Sequence, residues 1–331
     1  MDAAQVTSSA QKSILIITEK FDPHADHVIR TFKTDGIAFY RLNTNDFHAE
    51  IKVEASSAAA SIVFEDPQGR VHRFPDDTRC VWYRKPVNPN PPQSVTDPTA
   101  RGLILAETLE LLAYLSVERR VPWFNNPDDN RYSQRKFPQI LLARELGLRV
   151  PRTLITNDPA RVRAFYREIE GRLLCKSMKE QGFRDEKDGY FIFSRKVAPE
   201  EFEQHADQVA YCPTLFQEYV EKAFELRITV IGDELFCCRI NSQTAKGAET
   251  DWRRIDPSQV EHEMMSLPAE IEAKLRRMLT HYGLRYGAFD MIVTPQGEYV
   301  FLELNPNGQW LWMELMTGAK MTDAIVRMLT T

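Results

Sequence analysis

The stretch YGAFDMIVTPQGEYVFLELNPNG, residues 286–308, decides the reading of this chain. Residues 291–293 and 299–302 are β-branched, aromatic or otherwise apolar, as strands prefer. Between them, Thr294-Pro295-Gln296-Gly297 puts proline and glycine where a tight turn needs them. The spacing predicts a hairpin in which Val293 faces Glu298 and Asp290 faces Phe301. Side chains repeat on one face at every second residue. Asp290, Glu303 and Asn305 then share a face, while Leu302 and Leu304 point into a core. Two carboxylates and one carboxamide, with no Cys or His beside them, suit Mg²⁺ better than zinc and leave room for phosphate oxygens and water. An ordinary hairpin with a polar solvent face carries the same pattern, so the choice falls to the rest of the chain.

The sequence has 331 residues and 43% hydrophobic content, enough for a sizeable core in two or three packed units. A net charge of −5 implies no broad basic surface and argues against a nucleic-acid partner. No apolar run approaches the roughly 20 residues of a membrane span. Residues 1–12 lack the basic-then-apolar run of a signal peptide and read as a disordered tail. Cys80, Cys175, Cys212, Cys237 and Cys238 form no CxxC pair and read as small core residues of a protein in a reducing cytoplasm. His24 and His27, near Asp22 and Asp26, read as surface polarity at a helix start rather than as a metal pocket.

Residues 13–18 form a buried-strand run, 26–34 carry helical periodicity, and 38–42 read as a second strand. This β-α-β order argues for a parallel, Rossmann-like N-terminal unit. No GxGxxG follows the first strand, so no dinucleotide site is expected. Further strands at 51–54, 61–64 and 80–83 lead to a proline-rich surface connection over 86–98. A long helix over 100–119 carries Leu103, Leu105, Leu109, Leu111, Leu112 and Leu115 in its apolar part. A second, over 128–146, is broken at Pro138 and capped by Gly147.

The chain has no GxxxxGK[ST], so it does not hold phosphates as a P-loop does. Lys136 follows a polar helix start. Lys176 sits on a short apolar strand, where a lysine needs an anionic partner: an ATP phosphate or a structural glutamate. Residues 179–189 carry two glycines that let backbone approach a ligand, but on spacing alone this charged stretch reads as a solvated hairpin turn. Glu225 and Arg227 lie two apart on the strand 224–231 and share a face. Residues 271–282 form a packing helix.

Asp290 followed by FLELNPNGQW at 301–310 resembles the metal-binding end of ATP-grasp ligases. More specifically it resembles the ATP-grasp enzymes that macrocyclise ribosomal peptides, the microviridin and graspetide synthetases. Residues 82–86 (WYRKP), 123–127 (WFNNP), 151–159 and 251–253 (DWR) look like the same family, so the resemblance covers the chain from about residue 14 onward. Asn241 stands where that family usually has Asp, which puts any catalytic role of position 241 in doubt. The resemblance implies an α/β (α+β) ATP-grasp fold. A Rossmann-like pre-ATP-grasp domain would occupy 13–127, a central subdomain with its lid 128–215, and a C-terminal subdomain with the metal site 216–331.

It further implies ATP and Mg²⁺ as cofactors. Glu218, Tyr219 and Val220 would read adenine as a hinge, Glu225 would contact ribose, and Arg227 would reach the terminal phosphate. Lys136 and Lys176 would offset phosphate charge, with Mg²⁺ on Asp290, Glu303 and Asn305. The expected reaction is phosphorylation of Asp or Glu side chains of a precursor peptide, then ester or amide closure onto Thr, Ser or Lys. Asp251 is the candidate general base, Arg253 would hold the substrate carboxylate, and Asp185, Glu186 and Asp188 would meet a basic residue of the leader. A homodimer is implied by family analogy. A carboxylate-amine ligase acting on a free amino acid or a protein terminus shares this fold. A non-catalytic ATP- or peptide-binding protein would not need Arg227, Asp290, Glu303 and Asn305 together.

Overall fold

The computed structural model describes residues 12–178, 182–184, 189–191, 195–244 and 256–331. It separates into two compact units. The first comprises the described residues up to Asn130, with Leu284–Tyr286 and Lys320–Thr331; the second comprises Arg131–Gly283 and Gly287–Ala319.

The first unit opens with β1 (Ser13–Thr18), α1 (Pro23–Asp35) and β2 (Phe39–Asn43), with β1 and β2 parallel. The short α2 (Phe47–Glu50) leads to an antiparallel sheet of β3 (Lys52–Ser56), β4 (Ser61–Glu65) and β5 (Val71–Phe74). Then follow β6 (Thr78–Tyr83), α3 (Pro98–Val117) and β7 (Trp123–Phe124). The parallel sheet runs β2-β1-β6-β7, the β-α-β arrangement the sequence predicts. Leu15, Ile17, Leu42, Phe64, Val81 and Leu115 meet in one core. Burying each large apolar side chain contributes roughly 1.5–3 kcal/mol.

Two expectations fail in this unit. Helix α1 begins at Pro23 rather than at Asp26, because Asp22 caps it by accepting the His24 N–H at 3.0 Å. Asp22 and His24 are 3% and 7% exposed, so the polar cluster is buried, not superficial. Thr18 donates to Asp22 at 2.6 Å and the Arg84 guanidinium lies 4.0 Å away. Burial works to raise the Asp22 carboxyl pKa, but the His24 bond and the Arg84 charge outweigh it and hold the group well below the usual range. The second is α3, whose apolar part lies mostly at the surface: of its leucines Leu115 is buried and Leu111 and Leu112 pack against the core. Only Thr108, Leu115 and Ser116 are buried, while Leu103 and Val117 are 62% and 76% exposed.

Two helices, α4 (Pro127–Ser133), whose chain crosses from the first unit into the second, and α5 (Lys136–Glu145) in the second unit, replace the single broken helix. The break falls at residues 134–135, not at Pro138. Proline at the third position of α5 removes a donor that has no intrahelical partner in the first turn. Next come β8 (Thr153–Thr156), α6 (Pro159–Glu168), β9 (Leu173–Lys176), the hairpin β10 (Gly182–Arg184) and β11 (Gly189–Phe191), β12 (Arg195–Lys196), α7 (Pro199–His205) and β13 (Thr214–Glu218). The antiparallel sheet β12-β9-β13-β8 packs on Val162, Phe165 and Phe202 of α6 and α7.

The larger sheet uses β14 (Phe224–Ile231), β15 (Glu234–Ile240), β16 (His262–Met264), β17 (Tyr286–Val293) and β18 (Tyr299–Asn305), with α8 (Ala269–His281) and α9 (Leu311–Thr317) in the same stretch of chain. Its order is β16-β15-β14-β17-β18, so β18 is an edge strand. The last helix, α10 (Met321–Thr330), returns to the first unit and packs on α1 and β6.

All five thiols are free. Burial pushes Cys237 and Cys238 up to about 12. Cys212 is exposed, against the expectation of a core residue, because it lies in the turn leading to β13. No helix among the described residues is long and apolar enough to cross a membrane.

Candidate active site

The hairpin forms, but with a different register. Ala288 pairs with Asn305, Phe289 with Leu304 and Asp290 with Glu303; a bulge then shifts the ladder, so that Met291 pairs with Phe301 and Val293 with Tyr299. The predicted pairs Val293/Glu298 and Asp290/Phe301 are therefore wrong. The turn closes one residue further in, through Thr294 N–H to the Glu298 carbonyl at 3.0 Å. Leu302 is the extra residue of the bulge and is only half-buried, whereas Leu304 is 3% exposed. The bulge puts Asp290 directly opposite Glu303, with Asn305 two residues along the same face.

Each of these oxygens is held from outside the hairpin or by the turn beyond it. Arg227 donates one guanidinium arm to Asp290 Oδ1 at 2.8 Å and the other to the Gln309 carbonyl at 3.0 Å. That fork fits because residue 308 is glycine. A Cβ there would lie 2.5 Å from Ala288 Cβ and 2.7 Å from Arg227 Nη2. Lys136, the first residue of α5, places Nζ 3.3 Å from Glu303. Asn305 Oδ1 accepts the Asn307 N–H at 3.1 Å and starts the turn after β18. A cavity of about 460 Å³ opens against this face, lined by Lys136, Glu303 and Asn305 with Arg131 and Arg135.

The remaining residues read from sequence lie in the same unit but around other strands. Glu218 ends β13 and pairs with Arg172 at 3.1 Å. Its N–H bonds the Arg152 carbonyl, the Tyr219 N–H bonds the Arg172 carbonyl, and Lys196 Nζ lies 3.4 Å over the Tyr219 ring. Lys176 ends β9 opposite Leu215, in the sheet of the hinge rather than that of the metal face. Glu225 shares the Arg227 face, their cross-strand partners being Ile240 and Cys238.

Sequence reading missed Lys222, a buried lysine whose Nζ bonds Glu225 at 2.7 Å. Its three-residue spacing from Glu225 in the string EKAFELR was the available signal. It also missed Gln139, buried on α5 along the outer edge of β18. Asn241 bonds Glu261 and Arg239, each at 2.8 Å. Asp251, Arg253, Asp185, Glu186 and Asp188 lie outside the described residues.

Asp290, Glu303 and Asn305 offer only oxygen donors, and too few of them to enclose an ion. That set fits a hard divalent cation sharing its remaining places with phosphate and water. Lys136 and Arg227 beside it supply the positive charge that polyphosphate needs.

No family model matches the chain, and no curated protein matches it. Solved structures do. Macrocyclase MdnC bound with precursor peptide MdnA, from Microcystis aeruginosa MRC, is 28% identical over 96% of this chain and 99% of its own, with a TM-score of 0.85. A RiPP-associated ATP-grasp ligase of Chryseobacterium gregarium, in complex with ADP and a leader and core peptide, is 27% identical over 97% of each chain, with a TM-score of 0.88. Macrocyclase MdnB of M. aeruginosa MRC is 28% identical over 96% and 99%, with a TM-score of 0.77. This protein is an ATP-grasp ligase. Within that class, the likeness to the microviridin and graspetide macrocyclases that the sequence strings carry extends over the whole fold.

Proposed function

We propose that this enzyme uses ATP and Mg²⁺ to activate Asp or Glu side chains of a ribosomal precursor peptide and closes ester or amide cross-links onto Thr, Ser or Lys side chains of the same peptide. The observation that carries the site is one sheet face on which Asp290, Glu303, Asn305 and Arg227 converge, with Lys136 reaching Glu303 from α5. The peptide substrate rests on the end-to-end likeness to enzymes solved with precursor peptides.

A carboxylate is a poor electrophile at neutral pH. Moving the γ-phosphoryl group of ATP onto it gives an acyl phosphate and ADP. A hydroxyl or amine of the peptide then attacks the acyl carbon, its proton is lost, and phosphate leaves. The peptide loses one water per bond, whose atoms end in the phosphate. The protein's part is positioning and charge stabilisation. Asp290, Glu303 and Asn305 would hold Mg²⁺, which when bound neutralises phosphate charge. Lys136, Lys176 and Arg227 take the remaining charge, and the 218–220 hinge and Glu225 orient the nucleoside. In this reading the pre-ATP-grasp domain spans 13–127, the central subdomain 128–215 and the C-terminal subdomain 216–331.

Intact mass of a short Thr/Asp/Glu-rich precursor peptide after incubation with the enzyme, ATP and Mg²⁺ tests this directly. The expected result is loss of one or more waters. An unchanged peptide, with ATP consumed only when a free amino acid is added, would instead identify a carboxylate-amine ligase. The exposed stripe Leu103, Tyr114 and Val117 on α3 is the face we assign to a homodimer. Sedimentation should show a dimer that Leu103→Glu with Val117→Lys converts to monomer.

A further inference from the structure

We propose that Gln139 is a positioning residue for the metal-binding edge strand; the proposal rests on the reading of Asp290, Glu303 and Asn305 as Mg²⁺ ligands. β18 lies at the sheet edge, where among the described residues its outer side is met by an isolated bridge from Arg149 to Val300 and by no full strand. At Leu304, the residue between Glu303 and Asn305, a side chain takes the place of a strand. The Leu304 N–H donates to Gln139 Oε1 at 2.9 Å, and Gln139 Nε2 donates to the Leu304 carbonyl at 2.7 Å. The same Nε2 also bonds the Ser133 carbonyl at the end of α4. Gln139 is 1% exposed.

A primary amide is the one side-chain group that copies both backbone functions of a neighbouring strand. It fixes the backbone on which Glu303 and Asn305 both hang. One helical turn earlier on the same helix, Lys136 touches the Glu303 carboxylate. Helix α5 thus holds the strand by its backbone at Leu304 and by a side chain at Glu303. On the other side of the bulge the backbone of Arg149 serves the same edge, accepting the Phe301 N–H at 2.9 Å. Loosening Leu304 would let the two ligand oxygens drift relative to Asp290, and metal affinity falls when the groups that orient ligands are removed.

The test uses the ADP complex of the whole enzyme, with Mn²⁺ binding followed by electron paramagnetic resonance. Gln139→Met keeps the length and loses both bonds. It should weaken Mn²⁺ binding about tenfold, in the range typical for loss of a group that orients metal ligands, and speed amide exchange at Leu304. Ile140→Val, a core change on the same helix, should lower stability without moving the Mn²⁺ affinity. Gln139→Asn, whose amide is drawn back by one methylene, is read in the same way if the Met variant does not fold. Unchanged Mn²⁺ affinity in a folded Gln139 variant, while Glu303→Gln has lost it, overturns the positioning role alone. Unchanged affinity in Glu303→Gln as well overturns the metal-site reading and the proposal with it.

Discussion

Glu303→Gln should lower peptide cross-linking by about 10³-fold, the scale reached when a preorganised charge contact to the reacting group is removed. The change keeps the shape of the side chain and deletes one negative charge. Glu303 stands opposite Asp290 across the ladder and 3.3 Å from Lys136 Nζ. Gln at this position is a weaker oxygen donor to a divalent cation and leaves Lys136 without its counter-charge, so the loss combines metal affinity and phosphate placement. The Gln carbonyl oxygen still accepts from the Lys136 ammonium, and both side chains keep about one-fifth of their surface in water, so the cost to folding stays small. The melting temperature should therefore hardly move while single-turnover phosphoryl transfer collapses. A variant that retains half the wild-type rate at saturating Mg²⁺ would remove Glu303 from the site.

Arg227→Ala should be more damaging, because it acts on stability and chemistry together. Arg227 is 8% exposed and its two arms are spoken for by Asp290 and the Gln309 carbonyl. Breaking a buried ion pair by removing one partner costs about 3–5 kcal/mol. An arginine that meets a transferring phosphoryl group is worth about 10³–10⁵ in rate. Arg227→Lys separates the two effects. It restores charge beside Asp290, but a point charge cannot fork onto both partners. Much of the stability should return, while the rate stays at least about 10²-fold down. Gly308→Ala provides a third view of the same contact. Its Cβ would press on Ala288, a backbone-fixed methyl group with nowhere to go, and on the guanidinium. It should resemble Arg227→Lys in rate without replacing any charged residue. Chemical denaturation and single-turnover kinetics on the three variants check the ordering.

Several parts of this picture were legible in the sequence. The alternation of residues 286–308 announced a hairpin with a polar and an apolar side, and the Glu225/Arg227 spacing announced a shared face. Both patterns depend on a strand's period of two, which is local. The register was not legible. A bulge at Leu302 changes no residue type and is decided by how β17 and β18 twist against each other. Helix α3 shows the opposite limit. Its leucines look like core residues, yet the parallel sheet and its neighbours need only Leu115 and the residues beside it. Asp22 and His24 show a third. Polar residues at a helix start are usually wet, and the arrival of Arg84, just past β6 and far along the chain, helps make their burial tolerable.

What the sequence by itself determined is the chemistry of the parts: oxygen donors without soft ligands, arginine and lysines for phosphate, and strands to carry them at a spacing of two. What only the tertiary structure decided is which partner each part receives. Gln139 clamps Leu304 across 165 residues of chain, and Arg227 reaches Asp290 across 63. A glutamine in a helix and a glycine after a strand have no local mark that distinguishes them. Their roles arise because close packing of the second unit leaves an edge strand in need of hydrogen bonds and a guanidinium in need of room.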